Sequence, residues 1–360
     1  MQRIERTFAG RRLVIETGRM AKQAAGSAVV QFGETMVLAA VTVSDTESPL
    51  PFFPLLVEYK DKAYAAGKIP GGFIKREGRP SDPEILKARI IDRSIRPLFP
   101  EGFKNEVQVF IYVVSADQEN DADVMALVAA SYALNSSKIP FMGPIAGVRV
   151  GRVQDKWILN PTFQQLPYSD MDIVVAASKD SIMMVEGGAL EVSEEDIVEA
   201  LKLSHKGIGE LIAAQEELLK KMGKDRPAQM EWTKAEAPEA VSVAVKKLAE
   251  GKIVEALNQK DTHTRIQAVE KVKAEIAEKL VADFPDNSKD IKTLLGDVEY
   301  HSLRNQVLSS GFRVDGRKST EVRDITFDTS LLPRAHVSAL VTRGQTQALV
   351  SATLGTAKDA

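Results

Sequence analysis

Eleven cations crowd between Lys60 and Lys104: Lys60, Lys62, Lys68, Lys75, Arg76, Arg79, Lys87, Arg89, Arg93, Arg96 and Lys104. Six acids oppose them, leaving a local excess of five positive charges. The whole chain has 47 basic and 50 acidic residues, net −3, so the remainder is acidic by eight. A local basic surface on an acidic protein suits a polyanion held at one place. Within it lies Gly71-Gly72-Phe73-Ile74-Lys75-Arg76-Glu77-Gly78-Arg79-Pro80. Phe73 offers a π face for a base, and Lys75, Arg76 and Arg79 can pair with phosphates. An aromatic among cations can hold single-stranded nucleic acid without reading its sequence. The same stretch also reads as a solvated loop whose Phe73 tucks into the core.

Arg89, Arg93 and Arg96 are spaced four and three apart and so share a helix face. They either extend the basic surface or, beside Glu84 and Asp92, form structural ion pairs. Asp170 and Asp172 could hold a metal at a strand edge or serve a turn. Other chemistries are excluded. There is no cysteine, hence no disulfide, thiolate metal site or thiol nucleophile. The four histidines (His205, His263, His301, His336) make no local metal motif and suggest no triad. No Walker loop and no G-x-G-x-x-G occurs. The longest charge-free runs, 124–137 and 344–357, are too short to span a bilayer, and Met1 to Arg6 lacks a signal-peptide core. A soluble, cytoplasmic protein without membrane contact is expected.

The elements that must position these residues alternate in texture. Apolar, β-branched runs at 13–15, 28–32 and 36–43 read as strands. So does 107–114, which is nearly all apolar and is expected to be buried on both faces. Residues 60–80 read as an exposed loop. Ser81 and Glu84 have capping-box spacing, with Pro83 in the first turn of the helix that follows. Asp121 or Asp123 should open a second helix, and Ser193 a third. Strands return at 145–150 and 172–177. Residues 225–233 read as a linker. Residues 238–310 are rich in Ala, Lys and Glu with helical periodicity; Ile266, Val269, Val272, Ile276 and Leu280 mark one face, Asp261 or Thr262 a cap and Pro285 a stop. Strand texture resumes at 322–327 and 337–354.

That resumption is a repeat. Shifted by 311 residues, 24–43 falls on 335–354 with eight of 20 positions identical, including Ser27, Ala28, Gly33 and Thr35. The first unit runs for about 210 residues before the helical module, the second only from 312 to 360. Repeats need whole units to bury their cores, so the chain reads as part of a longer protein.

These residues resemble the bacterial polynucleotide phosphorylase family. The resemblance rests on Tyr64 to Phe73, Arg76 to Ser81, Ile91 to Pro100, Asp315-Gly316-Arg317, Leu332-Pro333-Arg334 and Thr342 to Leu349, in the family's order along the whole chain. It implies an α+β fold: a ribonuclease-PH-like (ribosomal protein S5 domain 2-like) core over 1–225, an all-helical domain over 226–311 and the start of a second core over 312–360. It implies a homotrimeric ring that degrades single-stranded RNA from 3′ to 5′, with inorganic phosphate as co-substrate, nucleoside diphosphates as product and Mg²⁺ as helper. Helicase and endoribonuclease partners are implied as well. The family's catalytic and metal-binding residues lie in the second core, beyond Ala360, so none is expected in this chain. In the first core the phosphate-cradling Gly-Ser-Ser stretch is replaced by Asn120-Asp121-Ala122-Asp123, and the Asp-x-Lys pair by Asp172 and Val174. Asp121, Asp123 and Asp172 are therefore expected to be remnants of a degenerate site. The family's pore loop carries two aromatics and two arginines; here it reads Phe73, Ile74, Lys75, Arg76, with Arg79 following. Val337 stands where the family has glycine, and strain is expected if a glycine backbone is needed there. Two other readings stay open: a non-catalytic RNA-binding or assembly subunit of an exosome-like ring, and a metabolic phosphotransferase on a similar fold.

Overall fold

The computed structural model describes residues 1–360 apart from Pro51, Ile74, Lys224, Asp225, Lys234, Ala235, Ala357, Lys358 and Ala360. Ile74 of the loop motif, the first linker residue Asp225 and the terminal Ala360 thus lie outside the described residues. The chain forms two compact units, Met1–Ala235 and Glu236–Ala360.

The first unit holds two sheets. One has six strands in the order β1-β2-β3-β4-β6-β5: β1 (Gln2–Phe8), β2 (Arg11–Thr17), β3 (Gly26–Phe32), β4 (Thr35–Glu47), β5 (Leu55–Asp61) and β6 (Asn105–Ser115). All neighbours are antiparallel except β5 and β6. That parallel pair needs a crossover, which α1 (Asp82–Ile95) supplies. The other sheet is antiparallel in the order β10-β9-β7-β8: β7 (Ala146–Val153), β8 (Lys156–Leu159), β9 (Met171–Ala177) and β10 (Ile182–Ala189). Helix α2 (Asp123–Asn135) packs on β3 and β4 of the first sheet and on β7 of the second. All its residues are buried, which explains a helix that is apolar all round. The 29-residue α3 (Glu194–Met222) packs on β7 and β1 and starts at Ser193, whose hydroxyl accepts the Asp196 N–H at 3.2 Å.

The capping box of α1 does more than start a helix. The Glu84 carboxylate accepts the backbone N–H of Ser81 at 2.6 Å and that of Asp61 at 2.8 Å. It thereby pins the helix start to the end of β5. Strand β6 differs from expectation: alternate residues from Val107 to Val113 are fully buried, while Gln108, Phe110 and Tyr112 are half-exposed. Among the described residues its outer face is covered only in part, by Lys62 over the Tyr112 ring, so the apolar run is buried fully on one side.

In the second unit α4 (Glu239–Leu257), α5 (Thr262–Asp283) and α6 (Ser288–Ser310) share a core of Val241, Val245, Ile253, Val269, Ile276 and Ile291. Asp261 caps α5, accepting the Thr264 N–H at 2.8 Å. Ile266, expected on the buried face, is 55% exposed and lies outside the shared core, which α5 joins from Ala268 onward. The last strands, β11 (Ile325–Thr329), β12 (Val337–Arg343) and β13 (Thr346–Ala352), form an antiparallel sheet.

The repeat extends to register. Gly26 pairs with Val41 and Phe32 with Thr35 in β3–β4; Val337 pairs with Ala352 and Arg343 with Thr346 in β12–β13. Gly33 and Gly344 both have φ of 61° at the first position of two-residue turns, where only glycine is unstrained. Gly26, by contrast, lies in ordinary extended backbone. It is glycine because a Cβ there would stand 2.2 Å from the carbonyl oxygen of Ala133 in α2. The constraint at that position is helix contact, so Val337, half exposed in β12, is unstrained in backbone.

Two substitutions test this reading with opposite signs. Gly26→Ala should destabilise the chain by about 1–3 kcal/mol through overpacking. Gly251→Ala, in the interior of α4 with open space at its Cβ, should stabilise it by about 0.5–1 kcal/mol. Urea unfolding followed by circular dichroism measures both; equal midpoints for Gly26→Ala and the parent would refute the close approach of α2.

Candidate nucleic-acid interface

The structure sorts the eleven cations into bound and free. After β5 a short 3-10 turn, Ala63–Ala66, ends at Gly67 with φ of 68°, and the loop runs on to Ser81. Its far limb is tethered by Glu77, which accepts Lys62 Nζ at 2.8 Å and the Ala63 N–H at 3.0 Å. The Lys62 ammonium, then the Ala63 N–H, hold the Glu77 carboxyl below its usual range. Lys60 Nζ donates to the carbonyl of Gly78 at 3.2 Å. Two lysines are thus spent on holding the loop. Phe73, between the two limbs of the loop, is fully exposed, 102% against its reference, so it does not tuck into the core. Lys75, Arg76 and Arg79 are exposed and have no side-chain partner among the described residues. Lys75 takes φ of 53°. Tyr64 and Ile69 add exposed apolar surface at the near limb.

The arginines of α1 divide. Arg96 donates to both oxygens of Asp92 and to the carbonyls of Phe53 and Leu55. Arg93 pairs with Glu186 of β10. These two are structural, so the expected three-residue basic face is not free as a whole. Arg89 has no partner among the described residues and lines a groove of about 360 Å³ with Leu56, Pro80 and Ile85, next to the loop.

Asp121, Asp123 and Asp172 come together around a residue that sequence reasoning passed over. Arg149 of β7 donates to Asp172 at 2.5 and 2.7 Å, to Asp123 at 2.5 Å and to Asp121 at 3.3 Å. Lys87 of α1 adds a bond to Asp121 at 2.9 Å. Burial works against the Arg149 charge, but Asp123, Asp172 and Asp121 more than offset it and raise its pKa. Asp123, fully buried, is pushed up by burial and by the Asp121 charge; burial also opposes charge on Asp121, but Lys87 draws that carboxyl down. Arg11 closes the same place from the other side, donating to Asn120 and stacking 4.4 Å from the Phe32 ring centroid. The space left among Phe32, Asn120, Asp121 and Asn160 is about 10 Å³, that of a single water. It cannot take a phosphate. The carboxylate oxygens are taken up by Arg149 and Lys87 and are not free to hold a cation, so this donor set does not fit Mg²⁺. Asp170 is likewise occupied, by Arg152 at 2.6 Å. A lone arginine in the apolar run Ile145 to Val150 was the available signal for the cluster.

Residues 9–140 match the model described as 3′ exoribonuclease family, domain 1, and residues 143–207 match domain 2 of that family. Residues 240–318 match the model described as polyribonucleotide nucleotidyltransferase, RNA binding domain. A polyribonucleotide nucleotidyltransferase of Gemmatimonas aurantiaca is 77% identical over 360 residues, covering 100% of this chain and 49% of that protein. Proteins of the same name from Geotalea uraniireducens and Geobacter sulfurreducens are 51% and 49% identical over 99% and 98% of the chain, and 51% and 50% of their own lengths. The chain spans about half the length of the curated relatives it matches. No helix among the described residues is long and apolar enough to cross a membrane.

Removing the central cation should expose its cost. Arg149→Met leaves three carboxylates with Lys87 as their remaining cation and should lose about 3–5 kcal/mol at neutral pH. Asp123 has a raised pKa in the folded state, so the fold takes up a proton there before the unfolded chain does. The loss should therefore be largest at alkaline pH and shrink on mild acidification. Chemical denaturation across pH reads this, and a loss that grows with acidity contradicts it.

Proposed function

The chain belongs to the polyribonucleotide nucleotidyltransferase family, and on that footing we propose that it forms the RNA-admitting part of a phosphorolytic exoribonuclease. The observation that carries the proposal is the loop: an exposed Phe73 beside free Lys75, Arg76 and Arg79, on a limb tethered at Glu77. A single strand threads past it. Phe73 stacks on a base, worth about 1–3 kcal/mol where it forms. The cations hold flanking phosphates, Lys75 as a point charge and the arginines with the option of a bidentate grip. Arg89 continues the basic path along α1. This holding is indifferent to base identity, as processive degradation requires.

In the whole protein, an oxygen of inorganic phosphate attacks the phosphorus of the 3′-terminal phosphodiester, the 3′-oxygen of the shortened strand leaves, and the terminal nucleotide departs as a nucleoside diphosphate, so the strand shortens 3′ to 5′. A Mg²⁺ ion, for which the described residues of this chain do not form a site, would supply charge neutralisation in that reaction. Asp121, Asp123 and Asp172 are read as remnants, because Arg149 and the carboxylates fill the place a phosphate would need. We extend the proposal to a cytoplasmic homotrimer working with a helicase and an endoribonuclease. The division into a first core (1–225), a helical domain (226–311) that also contacts RNA, and the opening of a second core (312–360) belongs to it too. The filled site equally favours a second reading, a non-catalytic ring subunit. The two part on whether the full-length protein releases nucleoside diphosphates.

Two outcomes are expected. Replacing Phe73, Lys75 and Arg76 together by alanine should weaken single-stranded RNA binding and flatten the log–log salt slope by about 1.4, two phosphate contacts' worth. Fluorescence anisotropy across salt measures this; unchanged binding would favour a solvated loop without a ligand. The 360-residue chain alone, given RNA, phosphate and Mg²⁺, should release no nucleoside diphosphate, and measurable release would overturn the assignment of the remnants.

A further inference from the structure

Tyr64 stands on the anchored limb of the loop. The Lys62 N–H donates to the Val113 carbonyl of β6 at 3.2 Å, and the Ala116 N–H, just past β6, donates to the Ala65 carbonyl at 3.0 Å. Gly67 and Lys68 close the turn by donating to the carbonyls of Tyr64 and Ala63, each at 3.0 Å. The backbone of Tyr64 is thus fixed between two bonds to the sheet, yet the residue is 59% exposed. Its hydroxyl has no hydrogen-bond partner among the described residues. A tyrosine placed for packing is buried and its hydroxyl partnered; this one is neither.

The Glu77 tether brings the far limb to the same place. Ala63, next to Tyr64, donates its N–H to Glu77, and Arg76 is the neighbour of Glu77. The Lys62 ammonium has a raised pKa chiefly through Glu77, with Tyr64 among the smaller contributions, so the phenol lies near the tether. Arg76, Arg79 and Lys68 are exposed and have no side-chain partner among the described residues. An exposed ring among free cations therefore occurs at the base of the loop as well as at Phe73.

We infer that Tyr64 is a second base-stacking position, at the base of the loop, for the single strand that Phe73 holds farther along it. The inference rests on the RNA reading above and adds a residue and a role to it. Because its turn is already ordered, little freedom is lost when a base stacks on Tyr64. A strand held at two rings can shift by a nucleotide at one while the other keeps its base, which suits processive shortening. Stacking uses the face of a base and no charge. The share of affinity from Tyr64 is therefore insensitive to salt, and it disappears when the strand has no bases.

The experiment compares a single-stranded RNA with an abasic oligomer of equal length on the whole 360-residue chain, by anisotropy at low and high salt. Tyr64→Ala should weaken RNA binding about fivefold or more, from the loss of one base contact. It should leave the salt slope and abasic binding unchanged. Tyr64→Phe keeps the ring and should bind RNA as the parent does; a loss equal to that of Tyr64→Ala would overturn stacking in favour of the hydroxyl. A changed slope or changed abasic binding in Tyr64→Ala would mean a disturbed tether and would overturn the inference too. Replacement of Lys75 and Arg76 by alanine should weaken binding of both probes and flatten the slope. If Tyr64→Ala binds RNA as the parent does while that cation variant loses affinity, the Tyr64 inference falls and the RNA reading stands. If the cation variant also binds like the parent, the RNA reading falls and takes Tyr64 with it. Should Tyr64→Ala fail to fold, as judged by circular dichroism, Tyr64→Leu decides, since it keeps apolar bulk without a ring.

Discussion

A guanidinium placed in the middle of a buried sheet stays charged and must be given partners, and Arg149 sets the terms for its surroundings. Desolvating such an ion costs several kcal/mol before any pairing. The three carboxylates that answer it come from the N-terminal end of α2, the turn before it and strand β9, with Lys87 arriving from α1. Four elements are thereby held in one arrangement by ion pairing as well as by packing. A hydrophobic cluster of equal volume could be as stable, but it would tolerate small shifts of α1 and α2 that a forked donor does not. The loop that leads into α1 inherits this fixity, because the helix start is pinned to β5 by Glu84.

Charge is therefore partitioned by depth. Cations that face carboxylates (Lys60, Lys62, Lys87, Arg93 and Arg96) build the scaffold. Lys75, Arg76 and Arg79, with no acid partner among the described residues, face solvent on the loop. Exposed ion pairs contribute little to stability, so the free cations there cost the fold almost nothing. A near-neutral chain can in this way present a locally positive surface.

Much of this was legible in residue order, where local rules act. The capping residues Ser81, Ser193 and Asp261 sit where their spacing put them. Gly33 and Gly344 mark turns that a side chain would strain. What was not legible depends on partners distant in sequence. Strand β6 looked double-sided because composition does not reveal which faces are covered. The role of Gly26 depends on a carbonyl in α2, more than a hundred residues away. Asp172 read as turn or metal chemistry until Arg149, from another strand, was found beside it. Arg93 and Arg96 looked like Arg89 until their acids were located. Edge strands β1, β5 and β10, with mixed polarity, gave no clear alternation to detect.

The two hairpins share a register while their surroundings differ. β3–β4 is backed by the buried α2, whereas β13 is exposed along its length. Register that persists without backing is dictated by the turn itself. Closing a two-residue loop has the smallest entropic cost a chain can meet, and hairpins of this kind zip in microseconds. The β4–β6 pairing must instead close across the β5 and α1 segments. Loop length thus separates the two kinds of pairing: the hairpins close locally, while β4–β6 does not. The duplicated element is then a unit whose pairing is specified by its own turn, whatever is packed against it.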